Sequence, residues 1–344
     1  MVTWKEIKDD SSARWRIEKK AEIIKSIREF FWSQDFIEPT TPVAVYKMIQ
    51  EKYLQPVPIK FHNPNGKEFP FVLVTSPEIG LKKLLGAGLS KIFQVCPVFR
   101  DYEDFGHTHN PEFLMLEWYR SPGGLTAIMD DTENMVKFIA QKIGVEKIKV
   151  GDKEVNLLIE WERISMKDLW KKLLDVNLDD YLTDETMAEL ARSLGYNVKV
   201  GEAYENSFYE IFLNKVEPFL GAERPVMIYD YPLPMSALCR PNPSDPRYVE
   251  RSECYIAGLE LSNAYGELVD VVEQSKRMQE SYDCRIKNNL ALTPIDEDFN
   301  VAVGEIKSAG GIALGVDRLV MLLTEAKDIN DVIFESVADQ VERE

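Results

Sequence analysis

The sequence predicts an α+β fold in which antiparallel strands are flanked by helices. Three observations carry this. Ile17, Ile23, Ile24, Ile27, Phe30 and Phe31 recur near helical spacing across residues 14–31, the mark of an amphipathic helix packed on a core. Strand-like runs come in neighbouring pairs, 91–100 with 113–120 and 249–257 with 258–263, as antiparallel hairpins do. Helical segments cluster instead of alternating one for one with strands, as parallel βαβ units would require.

The remaining elements follow in chain order. After the first helix, Phe36-Ile37-Glu38 leads to Pro39 and Pro42, so the chain turns extended. Asn63-Pro64-Asn65-Gly66 is a turn, and residues 69–75 after it read as a strand. Residues 79–89 read as a helix with Leu81, Leu84 and Leu85 on one side. The loop 101–112 is longer than a hairpin needs, and long loops of this kind carry function. Residues 126–143, 166–174, 183–194 and 202–220 read as helical, with Trp161 and Trp170 in the core. A polar helix is expected over 270–289, then a short glycine-containing strand at 310–315 and a helix over 316–323.

The chain has 344 residues, enough for one large domain or two ordinary ones, and no linker or internal repeat divides it. With 45% hydrophobic residues it can build a core, which excludes global disorder. No apolar run reaches the ~20 residues of a membrane helix. The N-terminus lacks an apolar stretch behind a basic start, so no signal peptide is expected and the cytosol is the default address. A net charge of −17 argues against a broad polyanion-binding surface but leaves room for a nucleotide pocket built on a few cations. Cys96, Cys239, Cys254 and Cys284 form no CxxC pair and read as small hydrophobes.

Three stretches carry chemistry. In the first, residues 99–120, a strand ends at Arg100 and the return strand puts Glu117 and Tyr119 on one face, because side chains alternate. A half-buried carboxylate there suits an ammonium ligand; the competing reading is a solvated hairpin with an edge-strand glutamate. In the second, residues 250–270, Glu253, Glu260 and Glu267 recur every seventh position, suited to Mg²⁺ or an amine, or else three unrelated surface acids. In the third, residues 310–323, glycines allow close approach and Arg318 falls in a first helical turn, a poor place for a cation unless an anion comes near. The competing reading is an Asp317–Arg318 surface pair. The absence of a P-loop and of GxGxxG disfavours Walker-type and Rossmann sites.

Taken in order, these stretches resemble the three signature motifs of the class II aminoacyl-tRNA synthetases: residues 36–42 motif 1, the Arg100 hairpin motif 2, and residues 311–323 motif 3. The wording HNPEF, MLEWY, SNAYGEL and GVDRLVML resembles the lysyl branch. The likeness runs over residues 14–336 and is closest to the truncated branch that joins (R)-β-lysine to elongation factor P. Ser76 and Ala313 follow that branch where lysyl-tRNA synthetases carry Ala and Gly. The resemblance implies a single class II catalytic core with no anticodon-binding OB-fold, a homodimer through motif 1, ATP and Mg²⁺ as cofactors, and a protein acceptor in place of tRNA.

It also implies residue roles. Arg100 would contact the α-phosphate and the substrate carboxylate, and Arg318 the γ-phosphate side. Glu103, His109, Asn110 and Gly315 would lie along ATP, with Phe113 against the adenine. Glu253 and Glu260 would hold Mg²⁺. Glu117, Tyr119 and Glu267 would bind the side-chain ammonium, while Ser76, Glu78, Asn263, Tyr265 and Ala313 would shape the site for the second amine and the carboxylate.

This sequence departs from the pattern in the motif 2 loop. The loop is one residue longer, Tyr102 stands where an acid usually follows the arginine, and His107-Thr108 replaces a basic residue. Ala264 stands where Gly is usual. Two other readings remain: a lysine-like ligase with a different carrier or a small-molecule acceptor, and a non-catalytic paralogue used as a binding subunit. Retention of Arg100, Glu253, Glu260 and Arg318 speaks against the last.

Overall fold

The computed structural model describes residues 2–49 and 51–341. In chain order the elements are α1 (Trp4–Asp9), α2 (Ser11–Trp32), β1 (Ala44–Val45), β2 (Pro58–His62), β3 (Glu68–Leu73), α3 (Glu78–Gly86), β4 (Lys91–Phe99), β5 (Glu112–Arg120) and α4 (Leu125–Ile143). There follow β6 (Lys147–Val150), β7 (Lys153–Asn156), β8 (Glu162–Ser165), α5 (Met166–Leu174), α6 (Asp184–Ser193), α7 (Tyr204–Lys215), β9 (Val226–Pro232), β10 (Tyr248–Ile256) and β11 (Leu259–Gly266). Last come α8 (Val271–Lys287), α9 (Glu297–Gly304), β12 (Gly310–Gly315), α10 (Val316–Leu323) and α11 (Val337–Val341).

Seven strands form the central sheet in the order β4-β5-β12-β11-β10-β9-β8. Every neighbouring pair is antiparallel except β8 and β9, which run parallel. The α+β expectation therefore stands, with one parallel edge added. That edge joins a four-residue strand to one ending in Pro232, and the two are far apart in sequence. The hairpins 91–120 and 248–266 form as expected. The turn of the second uses Ala257 and Gly258, both at positive φ, which suits glycine and strains alanine. The helix expected over 202–220 shortens to α7, and a tight turn at 217–219 follows.

One face of the sheet is apolar. Leu116, Trp118, Ile312 and Leu314 alternate inward and pack against Ile23, Ile27 and Phe31 of α2, Ile128 and Val136 of α4, and Leu319 of α10. A second core gathers α5, α6 and α7 against β9 and β10, around Trp170, Phe208 and Phe212. Trp161 and Trp170 are buried as expected. Burying so many large side chains holds the sheet rigid, at about 2 kcal/mol for each side chain fully withdrawn from water. The opposite face, with α3 and α8 nearby, is left for chemistry.

Among the described residues, no helix is long and apolar enough to cross a membrane. All four cysteines are free; Cys96, Cys239 and Cys254 are buried.

Candidate active site

Register across the sheet builds the site. Gln94, Glu117, Ala313, Asn263 and Glu253 are successive partners on β4, β5, β12, β11 and β10. Antiparallel partners share a face, so these five project to the same side. The next row out is Tyr119, Gly311, Tyr265 and Arg251. These rows floor a cavity of about 510 Å³. Its lining takes in Ser76, Glu78, Arg100, Glu103, His109, Asn110, Phe113, Glu117, Tyr119, Glu260, Asn263, Tyr265, Glu267, Ala313, Gly315 and Arg318. All the expected site residues except Glu253 thus border one space. The edge-strand reading of Glu117 fails, because β5 lies between β4 and β12.

At one end of the cavity the acids converge. The Tyr119 hydroxyl donates to Glu117 at 3.0 Å, and both side chains are buried. Ser76 also hydrogen-bonds Glu117, and its hydroxyl accepts the Glu78 N–H at 3.2 Å. Burial, and after it the Glu78 charge, push the Glu117 carboxyl up to about 8. Burial likewise pushes Glu267 up to about 7, with Lys82 working against it.

Lys82 was not among the expected site residues. Its ammonium lies 2.5 Å from Glu78 and 2.6 Å from Glu267, and only 3% of the residue is exposed. The Glu267 contact is ionic, outside the angles of a well-aligned hydrogen bond. Burial alone would lower the Lys82 ammonium, but Glu267 and Glu78 outweigh it and raise it. Its i,i+4 spacing from Glu78 was the available sequence signal.

The glycine opposite Tyr119 is required. A Cβ on Gly311 would stand 2.2 Å from the Tyr119 ring and 2.4 Å from Glu267 Oε1. Ala313, one step along β12, does carry a methyl, and it faces Glu117 on one side and Asn263 on the other.

The other end of the cavity is cationic. The Arg100 guanidinium lies over the Phe113 ring, 5.1 Å from its centroid, and its buried Nε has no hydrogen-bond partner among the described residues. An orphaned buried donor on a cavity wall is placed for an incoming anion. Arg318 donates to the Thr108 carbonyl (3.1 Å), the Glu260 carbonyl (3.0 Å) and His109 Nε2 (2.9 Å). A guanidinium can only donate, so His109 Nε2 is the acceptor and Nδ1–H faces the Thr108 hydroxyl at 3.1 Å. Burial, then Arg318, lower the His109 pKa and keep the ring neutral.

The Asp317–Arg318 surface pair is not formed. Asp317 turns inward to Lys20 (2.5 Å) and the Leu114 N–H (2.7 Å), leaving Arg318 to the cavity.

The hairpin tip is anchored to the 328–330 segment. The His107 N–H donates to Asp328 at 2.7 Å, and the Ile329 N–H donates to the His107 carbonyl at 2.8 Å. Asn110 is buried, and its amide is engaged by the Glu112 carbonyl (2.5 Å) and the Val337 N–H (3.3 Å). Tyr102, at positive φ, is 90% exposed and does not line the cavity.

Glu253 lies beneath the cavity wall. Tyr231 (2.6 Å), Tyr255 (2.7 Å) and Arg251 (2.5 Å) all donate to its carboxylate. Glu260 stands on the cavity side, with 39% of its side chain open to water. Its place in the cavity wall, then the Glu253 charge, raise the Glu260 carboxyl above its ordinary range, less than full burial would because its side chain reaches water. Among the described residues no three His, Cys, Asp or Glu side chains gather around a metal position. The expected Glu253–Glu260 pair is therefore not presented to the cavity as a pair: the Glu253 carboxylate is taken by Tyr231, Tyr255 and Arg251, and Glu260 alone of the two borders the space. One carboxylate beside substrate oxygens and waters is still a donor set that suits Mg²⁺, so Glu260 fits that ion.

Comparison with known proteins places these motifs. Residues 6–335 match the tRNA synthetases class II (D, K and N) family. The chain is 33% identical over 324 residues to the elongation factor P--(R)-beta-lysine ligase of Pectobacterium carotovorum subsp. carotovorum, covering 93% of this chain and 94% of that one. It is 34% identical over 318 residues to the ligase of the same name from Haemophilus influenzae, covering 92% and 93%. It is also 34% identical over 316 residues to the lysine--tRNA ligase of Bacillus subtilis, covering 91% of this chain but 62% of that protein.

Proposed function

The chain belongs to the class II tRNA synthetases of the D, K and N group, and on that premise we propose that it activates (R)-β-lysine or lysine with ATP and transfers it to a lysine of elongation factor P. It is an enzyme, a ligase of the aminoacyl-tRNA synthetase type. The observation that carries the substrate reading is the buried amine end of the cavity. There Glu117, Tyr119, Glu267 and Glu78 face Gly311 and Ala313 within one shell. Carboxylates this deep need cations, and a substrate with two ammonium groups supplies them.

Activation is attack by a substrate carboxylate oxygen on the α-phosphorus of ATP. An O–P bond forms to give the aminoacyl-adenylate, and the bond to pyrophosphate breaks. The step needs no protein nucleophile; it needs in-line positioning and charge neutralisation. Arg100, with its free buried N–H, would bridge the α-phosphate and the substrate carboxylate. Arg318, braced by the Thr108 and Glu260 carbonyls, would face the γ-phosphate. Neutral His109 would add no charge of its own beside the phosphates. Phe113 would offer adenine a flat face once ATP takes the guanidinium from it. Glu103 and Gly315 would border the nucleotide, and buried Asn110 would hold the loop in shape. Glu260 would hold Mg²⁺, with Glu253 adding negative charge from beneath the wall, and the ion when bound would offset phosphate charge.

Two observations support a protein acceptor. The match covers nearly the full length of the elongation factor P ligases. The hairpin tip also carries Asp101, Glu103 and Asp104 beside exposed Tyr102 and Phe105, an acidic and aromatic edge that suits a cationic peptide and repels a polyanion. A homodimer and a cytoplasmic address belong to the same proposal.

ATP–pyrophosphate exchange with lysine, both β-lysine enantiomers and aspartate tests the reading, followed by mass spectrometry of elongation factor P incubated with the enzyme. Exchange with a lysine-like acid and a gain of one lysyl mass on a single lysine is the expected result. Exchange without that gain points to another carrier, and no exchange with any amino acid points to a binding subunit.

A further inference from the structure

The amine end of the cavity holds more negative charge than the three motif-like stretches supply. A fourth carboxylate, Glu51, borders the same space. It comes from the segment between β1 and β2, far in sequence from the other acids. It shares a hydrogen bond with the buried Thr75 side chain, and its electrostatic neighbours are Glu78, Arg100 and Arg285.

A carboxylate on a connecting segment is ordinarily a solvated acid. This segment, however, is clamped. Arg285 of α8, only 1% exposed, donates to the Glu51 carbonyl (2.6 Å), the Leu54 carbonyl (2.7 Å) and Gln55 Oε1 (3.1 Å). Its remaining donors hold the Ala291 carbonyl at 2.8 and 2.6 Å. A guanidinium with its whole fork in use on backbone and amide oxygens fixes that backbone.

Two of the other three acids are already engaged by a cation of the chain itself. Lys82 lies between Glu78 and Glu267 and cancels one of their two charges. A lysine-like substrate brings two ammonium groups and one carboxylate. Arg100 meets the carboxylate, and Glu117 with Tyr119 meets the far ammonium. The near ammonium then lies toward Arg100; Glu78, the acid first expected there, is already paired with Lys82, and Glu51, with Arg100 and Glu78 among its electrostatic neighbours, borders that space.

We propose that Glu51 is a specificity-determining residue of the amino-acid pocket, binding the ammonium nearest the substrate carboxylate and so selecting diamino acids. This rests on the functional reading above. Burial, then the Glu78 charge, push the Glu51 carboxyl up to about 7, and an arriving ammonium would reverse that.

The test is pyrophosphate exchange by the wild type, Glu51→Gln and Glu51→Asp with lysine, (R)-β-lysine and 6-aminohexanoate. The last lacks the near amine and is followed as substrate or as competitive inhibitor. Glutamine keeps the size and the hydrogen bond to Thr75 but removes the charge. The expected result is a KM for the diamino acids raised about tenfold to a hundredfold, the weight of one charge-assisted hydrogen bond. The constant for 6-aminohexanoate and the KM for ATP stay where they were, and Glu51→Asp recovers part of the loss. The ratio of constants within one variant does not depend on how much of it is folded. An unchanged diamino-acid KM in Glu51→Gln, or an equal loss on all three compounds, overturns the assignment while leaving the function intact. A wild type that exchanges with none of them overturns both.

Discussion

The Lys82 ammonium lies 2.6 Å from Glu267 and 2.5 Å from Glu78, inside a pocket whose acids are otherwise arranged to receive an ammonium from outside. The pocket therefore contains its own lysine. That cation sets how much negative charge is left for a substrate and keeps Glu78 and Glu267 from repelling each other across a buried space.

Replacing Lys82 by methionine keeps the length and removes the charge. It leaves two like charges with no partner, which should cost about 3–5 kcal/mol of stability. Urea denaturation reads this directly. Adding Glu267→Gln to Lys82→Met should restore part of the loss, because the two sites are in contact and their effects do not add. Additive losses in the double variant would mean the pair is not coupled as the distances indicate.

Glu117→Gln separates the amino-acid end from the ATP end. The isosteric amide keeps the partner for the Tyr119 hydroxyl and loses the anion. Amino-acid KM should rise by about tenfold or more, the worth of a buried charge-assisted contact, while the KM for ATP holds. If pyrophosphate exchange with the preferred amino acid were unchanged, Glu117 would not be an ammonium ligand.

Gly311→Ala tests the floor. The new methyl would overlap the Tyr119 ring and the Glu267 carboxylate, and neither can leave without disturbing Glu117 or Lys82. A fold cost of about 1–3 kcal/mol is expected from overpacking. Exchange activity should fall about a hundredfold, because a displacement near 1 Å at the substrate is enough for that. Ala313→Gly adds space instead, so it should keep activity and narrow the preference between lysine and β-lysine. Equal activity of Gly311→Ala and wild type would show that the tyrosine can move aside.

One pair in the rows that meet over Ala313 was legible in the sequence because its physics is local: a strand period of two puts Glu117 with Tyr119, whereas the register that sets them against Ala313 and Gly311 joins distant strands and gave no local signal. Arg318 was legible as a cation in the wrong place on a helix, and its partner carbonyls at Thr108 and Glu260 explain why it is tolerated there. Lys82 was half legible. The i,i+4 spacing from Glu78 is visible, but only tertiary packing decides that Lys82 turns inward while Lys83 pairs with Asp296 nearer the surface. Arg285 and the segment it clamps gave no local signal, since donor and acceptors are brought together by the fold alone. The β8–β9 pair was hidden for the same reason: the two short strands are separated by the whole α5–α7 lobe.

The pH dependence follows from the buried acids and has opposite signs for binding and for stability. Burial first, with neighbouring charges, raises Glu117 to about 8 and Glu267 to about 7, from an ordinary value of 4.5. Below those values the free pocket keeps protons that an arriving ammonium has to displace, which weakens its binding. The substrate side-chain amine stays protonated throughout, with an ordinary value near 10.4. Amino-acid KM should therefore fall as pH rises from about 6 to about 8.5, as the pocket acids ionise. Stability runs the other way. Between 4.5 and about 8 the folded state holds protons that the unfolded state has released, so unfolding free energy falls as pH rises through that window. Thermal melts of the free enzyme should show a lower Tm at pH 8 than at pH 5.5. Saturating lysine should raise Tm more at pH 8 than at pH 6, because it supplies the missing cations only where the acids are charged. A KM that is flat across this range, together with a ligand-induced shift in Tm that does not grow with pH, would mean that these carboxylates are already ionised at pH 6.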